Sequence, residues 1–249
     1  WNKKYLKNEI ELNLEKDNLR NIVSVGNDIK NIINSIEGIT NKKIIPGETL
    51  LFLDEIQNSA EAIKLLRYFY EEIPALHVVS AGSLLEVRMK KEGWSFPVGR
   101  VEFLYLYPFN FNEFLLALDQ EVLLEKKLNL NLEESISPAI HEKLIDLLLD
   151  YLIVGGMPEA IKEYAHSHSF INVKNYQDAL IASFKEDFVK YSKESEIEYL
   201  KLVFDKVPFE IGKRIKYSKL GSGNSKEISK AFGVLHEAML VERIYPTVE

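Results

Sequence analysis

Thr49 to Gln57, TLLFLDEIQ, is the stretch that decides the fold, because four apolar residues run directly into Asp54 and Glu55. A short continuous apolar run is typical of a strand covered on both faces in a parallel sheet. Ligands of such sheets collect at the carboxyl ends of the strands. Two adjacent carboxylates there suit Mg²⁺-assisted phosphoryl transfer, in which one supports the ion and the other orients an attacking water. The alternative is a strand that ends in a polar turn.

Three more stretches predict strands of the same sheet: 9–14 (EIELNL), 76–83 (LHVVSAGS) and 101–108 (VEFLYLYP). An amphipathic stretch from Ser59 to Pro74 predicts a helix between the second and third strands, with Ser59 as its N-cap. A strand, a helix and a strand at this spacing indicate a βαβ unit with a right-handed crossover. The fold class is therefore α/β with a parallel sheet.

The pattern changes to helical near Phe111. A helix is predicted to begin at Asn112 or Asn110 before Glu113, and the stretch 115–132 that follows is leucine-rich with charges. Further helices are predicted over 138–154, 159–165 and 170–191, followed by two or three short helices and a terminal strand at 241–246. Gly155, Gly156 and Pro158 punctuate this region as a helix end. We expect three parts, at 1–110, 111–192 and 193–249.

Composition narrows the classes of function. The chain has 249 residues, a net charge of -7 and no cysteine, and its pI is near 5.4. The charge argues against a general polyanion-binding protein, and no stretch approaches the ~20 apolar residues that span a bilayer. We expect a cytoplasmic protein in a reducing compartment. Because the first residue is Trp1, we also expect a piece of a longer protein.

Four strings in order, LLFLDEIQ, VVSAGSLLE, PVGRVEFLYLYPFNFNEFL and LIVGGMPEA, carry a resemblance. Together they resemble the predicted AAA-type ATPases of bacteria and archaea, which have a winged-helix segment and a C-terminal domain of unknown function after the ATPase core. The resemblance covers roughly Glu9 to Pro246. It implies a P-loop NTPase-like core that binds ATP and Mg²⁺, followed by a helical lid and a winged helix.

The resemblance also implies roles for single residues. Asp54 is the Walker B aspartate that supports Mg²⁺, and Glu55 polarises the hydrolytic water. Ser83 is the sensor of the γ-phosphate or the water. Arg100 matches the family's Gly-Arg pair and stabilises transition-state charge in its own or a neighbouring subunit, with a structural ion pair as the alternative.

Gly155, Gly156 and Pro158 resemble the family's GG-x-P lid motif beside the nucleotide base. One departure stands out, since the chain contains no G-x-x-x-x-G-K-[ST] sequence. We expect this phosphate-binding loop to lie before Trp1, in the first part of an N-terminally truncated core. The fragment alone is then expected to be inactive.

The last part of the chain has a different charge. Seven basic residues against three acidic ones lie between Asp205 and Lys230, in an otherwise acidic protein. Residues 225–246 are consistent with the second half of a winged helix, with Lys226 to Glu237 as its recognition helix and 241–246 as a wing strand, in a C-terminally incomplete module at 193–249. A DNA or protein partner is then expected to bind through residues 205–240. The alternatives are a solvated face on a packing module and, for the whole chain, a non-catalytic binding module on an ATPase-like scaffold. The sequence does not indicate the oligomeric state.

Overall fold

The computed structural model of the chain describes residues 6–24, 28–83, 93–95, 97, 99–131, 136–192, 194–221 and 224–245. The sequence from Leu84 to Gly99 also predicts a short helix followed by a loop, and residues 84–92 of it lie outside these ranges. Two compact units divide the chain, Trp1–Phe103 with Tyr191–Glu249, and Leu104–Lys190.

A three-stranded parallel sheet forms the core of the first unit. Its strands are β1 (Asn8–Asn13), β2 (Thr49–Asp54) and β3 (His77–Ser80), in the order β1-β2-β3. β2 is the middle strand of these three, with β1 and β3 in parallel register on either side. The three strands predicted before residue 84 are confirmed, and the fold is α/β, consistent with a P-loop NTPase-like sheet.

Three helices accompany the sheet: α1 (Asp17–Ser24), α2 (Ile29–Thr40) and α3 (Ala60–Glu72). The predicted cap of α3 is confirmed, because the Ser59 side chain accepts a hydrogen bond from Ala62 N at 3.1 Å. The apolar sides of these helices and of the strands share one buried cluster, which includes Leu51, Leu53 and Phe69. This packing holds β2 rigidly, and with it the residues that follow its last residue.

The prediction of a fourth strand at 101–108 is wrong. These residues have no regular secondary structure, and their large apolar side chains are exposed, with Leu104 91% and Leu106 93% accessible. Strand pairing requires a partner, and within the described residues β3 pairs only with β2. An apolar pattern alone therefore predicts a strand that this chain does not form.

The regular secondary structure in the described part of the second unit consists of helices alone. Its helices are α4 (Phe111–Ala117), α5 (Glu121–Leu128), α6 (Pro138–Val154), α7 (Pro158–Ser167) and α8 (Phe170–Tyr191). A turn at Leu118 and Asp119, where Asp119 adopts a φ of 55°, separates α4 from α5. Asn110 and Glu113 form a capping box at the start of α4.

Two longer helices make up the C-terminal part of the first unit, α9 (Glu194–Lys206) and α10 (Ser225–Glu237). Two 3-10 turns, Val207–Glu210 and Tyr217–Lys219, lie between them. The predicted terminal strand is wrong where the structure describes it, since residues 242–245 have no regular structure. No helix in the described part of the chain is long and apolar enough to span a membrane.

Candidate functional site

Asp54 ends the central strand and lies beside Asn13 of β1. The Asn13 amide Nδ2 donates to Asp54 Oδ2 at 3.3 Å, while Asn13 Oδ1 accepts from Glu15 N at 2.9 Å. These two contacts fix which end of the amide faces the carboxylate. The two side chains lie close together because Asn13 and Asp54 are paired residues of the neighbouring parallel strands β1 and β2. The strand order thus presents a half-buried carboxylate at the carboxyl edge of the sheet.

Glu55 adopts a left-handed backbone conformation, with φ 54° and ψ 41°. Ala81, just after β3, donates its N–H to Leu53 O at 2.9 Å and accepts from Ile56 N at 3.0 Å. Asp54 and Glu55 therefore lie together opposite one residue of the neighbouring strand, an extra residue as in a β-bulge. A non-glycine residue in this region costs on the order of 1–3 kcal/mol, and such strain concentrates at functional sites.

Gln57 holds the Glu55 carboxylate. Its Nε2 donates to Glu55 Oε2 at 2.5 Å, and the residue is only 2% exposed. Its Oε1 is buried without a hydrogen-bond partner, and it lies 2.2 Å from the position that a Cβ on Gly82 would take. A buried carbonyl oxygen without a partner costs about 1–3 kcal/mol. Sequence analysis missed Gln57, because its burial depends on a 3-10 turn, Ile56–Asn58, that no periodicity reveals.

Ser83 lies three residues beyond the end of β3 and is exposed. The backbone of Ala81, two residues before it, is hydrogen-bonded on both sides of the Asp54–Glu55 pair. The structure therefore brings the segment that carries Ser83 to the same edge of the sheet as the two carboxylates.

Arg100 lies elsewhere in the same unit. Its Nε and Nη2 each lie 3.2 Å from Glu71 Oε1, which also accepts from Arg67 Nε at 3.0 Å. These hydrogen bonds, first from Arg67 and then from Arg100, lower the pKa of the Glu71 carboxyl. Glu71 belongs to the last turn of α3, whereas Glu55 precedes its first turn, and a helix of this length rises about 18 Å. The structure does not bring Arg100 to the carboxylates of its own chain.

The Gly155-Gly156-Met157-Pro158 segment joins α6 to α7 in the second unit. Gly155 caps α6 with a φ of 75° and a ψ of -173°, a conformation open essentially to glycine. Gly156 O accepts from Phe109 N at 2.7 Å, and a Cβ on Gly156 would lie 2.4 Å from Phe109 O. Pro158 is the first residue of α7, where its missing N–H costs nothing. Each of these residue types has a structural reason to be there.

The donor set at the sheet edge restricts what metal site is possible. No group of three or more His, Asp or Glu side chains that could hold a metal ion exists within the described residues. Mg²⁺ is commonly held by one or two carboxylates, several waters and the phosphates of a bound nucleotide. Asp54 fits an ion of that kind, shared with a phosphate, and not an ion held in a cage of protein ligands.

The comparisons with known proteins concern the scaffold that carries these residues. Residues 2–115, which contain the sheet and both carboxylates, match the family model described as AAA domain. Residues 145–249 match a second family model, a domain of unknown function (DUF8612). The first match supports an AAA-type ATPase-like family for the scaffold. No curated protein and no solved structure shows a significant match to the chain.

Proposed function

We propose that this chain is part of a Mg²⁺-dependent ATPase, with its chemistry at the carboxyl end of β2. The observation that supports this most is the position of Asp54 and Glu55, at the end of the central strand of a parallel sheet in an AAA-like scaffold. Ligands of open α/β sheets bind at such ends.

Each candidate residue takes a role in this proposal. Asp54 would hold a Mg²⁺ ion, which would supply positive charge to the ATP phosphates, and Glu55 would accept a proton from the attacking water or orient it. Ser83 donates to the γ-phosphate or the water from the neighbouring strand end. Arg100 supplies positive charge to the transition state, and its distance from Glu55 in its own chain favours action on the site of a neighbouring subunit.

Gly155, Gly156 and Pro158 contact the nucleotide base in this proposal, in addition to their structural roles. The second unit is then a helical lid. Residues 205–240 engage a DNA or protein partner, since Arg214, Lys216, Lys219 and Lys226 are exposed there. The whole belongs in the cytoplasm.

The test is Glu55→Gln in the full-length protein. The substitution keeps the size and hydrogen bonding of the side chain but removes its charge, so ATP should still bind while kcat falls by ~10²–10⁴-fold, as expected for loss of a general base. Glu121→Gln, an exposed acid in the first turn of α5, is the matched control and should leave kcat unchanged. Unchanged turnover in Glu55→Gln would favour the alternative, a non-catalytic DNA- or protein-binding module.

A further inference from the structure

Gln57 is a buried polar side chain that contacts the candidate general base, and it takes no part in the chemistry proposed for Asp54 and Glu55. Thr49, Gln57 and Ser59 are the buried polar residues of the described chain, and of these only Gln57 is bonded to a carboxylate. Its Nε2 donates to Glu55 Oε2 at 2.5 Å. This bond uses Glu55 Oε2 and leaves Glu55 Oε1 for a water.

The oxygen end of the Gln57 amide packs against the backbone of the neighbouring segment. Gln57 Oε1 lies against Gly82, and a Cβ there would come within 2.2 Å of this oxygen and 3.2 Å of Cδ. The orientation of the amide follows from charge, because a rotation by 180° would place Oε1 against the Glu55 carboxylate. Gly82 immediately precedes Ser83, so Gln57 physically joins the strand end that carries the candidate sensor to the candidate base.

The backbone makes the same connection. Ala81 is hydrogen-bonded to Leu53 O and to Ile56 N, one residue on each side of the Asp54–Glu55 pair. A displacement of the Ala81–Ser83 segment must therefore be transmitted to Glu55, both through these bonds and through the Gln57 amide. Glu55 needs such restraint, because its left-handed backbone is not held by any intrinsic preference of glutamate.

We propose that Gln57 is a positioning residue that holds Glu55 Oε2 and makes the orientation of this carboxylate depend on the Gly82–Ser83 backbone. This inference rests on the proposed ATPase function. A catalytic side chain that is hydrogen-bonded to a buried partner is already oriented when substrate arrives. Such a partner can serve function even if it does not stabilise the folded protein. Gln57 fits this description, because its Oε1 is buried without a hydrogen-bond partner while its Nε2 holds Glu55.

The experiment is Gln57→Met in the full-length protein, since Met keeps the length of the side chain but can neither donate to Glu55 nor leave a buried carbonyl oxygen without a partner. We expect kcat for ATP to fall about 10- to 100-fold with KM kept within about twofold. The Tm should stay unchanged or rise, because replacing a poorly satisfied polar group by an apolar one of similar shape is neutral or stabilising. Gln120→Met, the same change near α5 in the other unit, should leave kcat unchanged.

Two further variants separate positioning from a merely structural role. Gln57→Met added to Glu55→Gln should cause no further loss of kcat, because a residue that acts through Glu55 has nothing left to position. Gly82→Ala should reproduce the loss of kcat, because the new Cβ displaces the Gln57 amide.

Three results would overturn the inference. They are an unchanged kcat in Gln57→Met, a fall of kcat and Tm together, and a double variant slower than Glu55→Gln alone. Failure of the proposed function is distinct, because wild type and Glu55→Gln would then turn over ATP equally, and both proposals would fall. A slow Glu55→Gln beside a normal Gln57→Met rejects only the role of Gln57.

Discussion

Gly156 and Phe109 touch through their backbones, with Phe109 N donating to Gly156 O at 2.7 Å and with no room for a side chain on Gly156. Tyr151 Oη also donates to Phe109 O at 2.7 Å, so this carbonyl is fixed from a second side. A methyl group on Gly156 would lie 2.4 Å from an atom that has no freedom to withdraw.

We therefore expect Gly156→Ala to lower the free energy of unfolding by about 1–3 kcal/mol, measured by urea denaturation. Gly38→Ala is the control, because Gly38 lies within α2 with no heavy atom within 4 Å of an added Cβ, and it should stabilise by about 0.5–1 kcal/mol. Equal effects of the two changes would contradict the close approach. Since Gly156→Ala disturbs the fold, Pro158→Ala is the better variant for testing contact with a nucleotide.

Asp54→Asn should weaken ATP affinity and its dependence on Mg²⁺ together. The substitution removes a negative charge from the shell of the proposed ion but keeps an oxygen there. Calorimetric titration of the full-length protein with ATP, with and without Mg²⁺, measures both effects. Asn13→Ala removes the 3.3 Å hydrogen bond to Asp54 Oδ2, together with the one that Asn13 Oδ1 accepts from Glu15 N, but it keeps the Asp54 charge and should have a smaller effect. Unchanged Mg²⁺ dependence in Asp54→Asn would remove Asp54 from the proposed metal site.

The sequence predicts the sheet edge well because its signals there are local. Four apolar residues before Asp54 require burial on both faces, and Ser59 caps the following helix through its own side chain. The strand expected at 101–108 failed for the opposite reason, since a strand exists only with a partner and composition does not show whether one is available. Gln57 was missed in the same way, because its contact with Glu55 depends on the left-handed turn between them.

Arg100 provides a prediction that separates its two interpretations. Its ion pair with Glu71 is partly exposed, and Glu71 keeps Arg67 when Arg100 is removed. Arg100→Ala and Glu71→Ala should each change the free energy of unfolding only slightly, because exposed ion pairs contribute little to stability. If Arg100 supplies charge to a transition state, kcat of the full-length protein falls in Arg100→Ala and is kept in Glu71→Ala.

A mixing experiment tests whether Arg100 acts between subunits. Arg100→Ala carries an intact Glu55, and Glu55→Gln carries an intact Arg100, so a mixed assembly contains some complete sites if the two residues come from different chains. We expect mixing the two inactive variants to restore part of the turnover. If the protein forms assemblies and mixing restores no turnover, Arg100 does not act on a neighbouring subunit. Its role is then the ion pair with Glu71 or lies within its own chain.

Tyr164 predicts a loss of stability at alkaline pH. Its ring packs against Phe114 and Phe170, and its Oη donates to Asp150 Oδ2 at 2.7 Å. Burial, and then the bond to the Asp150 carboxylate, raise the pKa of the Tyr164 phenol from 10.0 to about 12. The unfolded chain therefore loses this proton at lower pH than the folded chain, and stability falls as the pH rises between these two values.

The measurement compares unfolding of wild type and Tyr164→Phe at pH 8 and near pH 11.5. At pH 8 the phenol is protonated in both the folded and unfolded states, so wild type keeps the full advantage of its hydrogen bond. Near pH 11.5 this advantage of wild type over Tyr164→Phe should shrink. At that pH, ionisation of the Tyr164 phenol lowers the free energy of the unfolded wild-type chain more than that of the folded chain. An advantage independent of pH would show that the Tyr164 pKa is not raised.

Lys226 and Lys230 differ in a way that sharpens the test for DNA binding through α10. The Lys226 side chain is exposed in the first turn of the helix, whereas Lys230 Nζ lies 2.9 and 3.1 Å from the two carboxylate oxygens of Glu227. A lysine that is already paired with a carboxylate contributes less binding free energy when it contacts a phosphate. If this helix binds DNA, Lys226→Glu should therefore weaken binding more than Lys230→Glu, and it should reduce the slope of log K against log salt by about 1.

Gel shifts at several salt concentrations measure this slope, and Lys126→Glu in α5 is the control, with the same change of charge in the other unit. Equal losses from all three variants would mean that net charge, and not α10, determines binding. The chain as a whole is acidic, so any affinity for DNA must come from a local surface such as this one. If the intact protein gives no shift even at low salt, phosphate is not the target of these lysines, and residues 205–240 are better matched to a protein partner with an acidic surface.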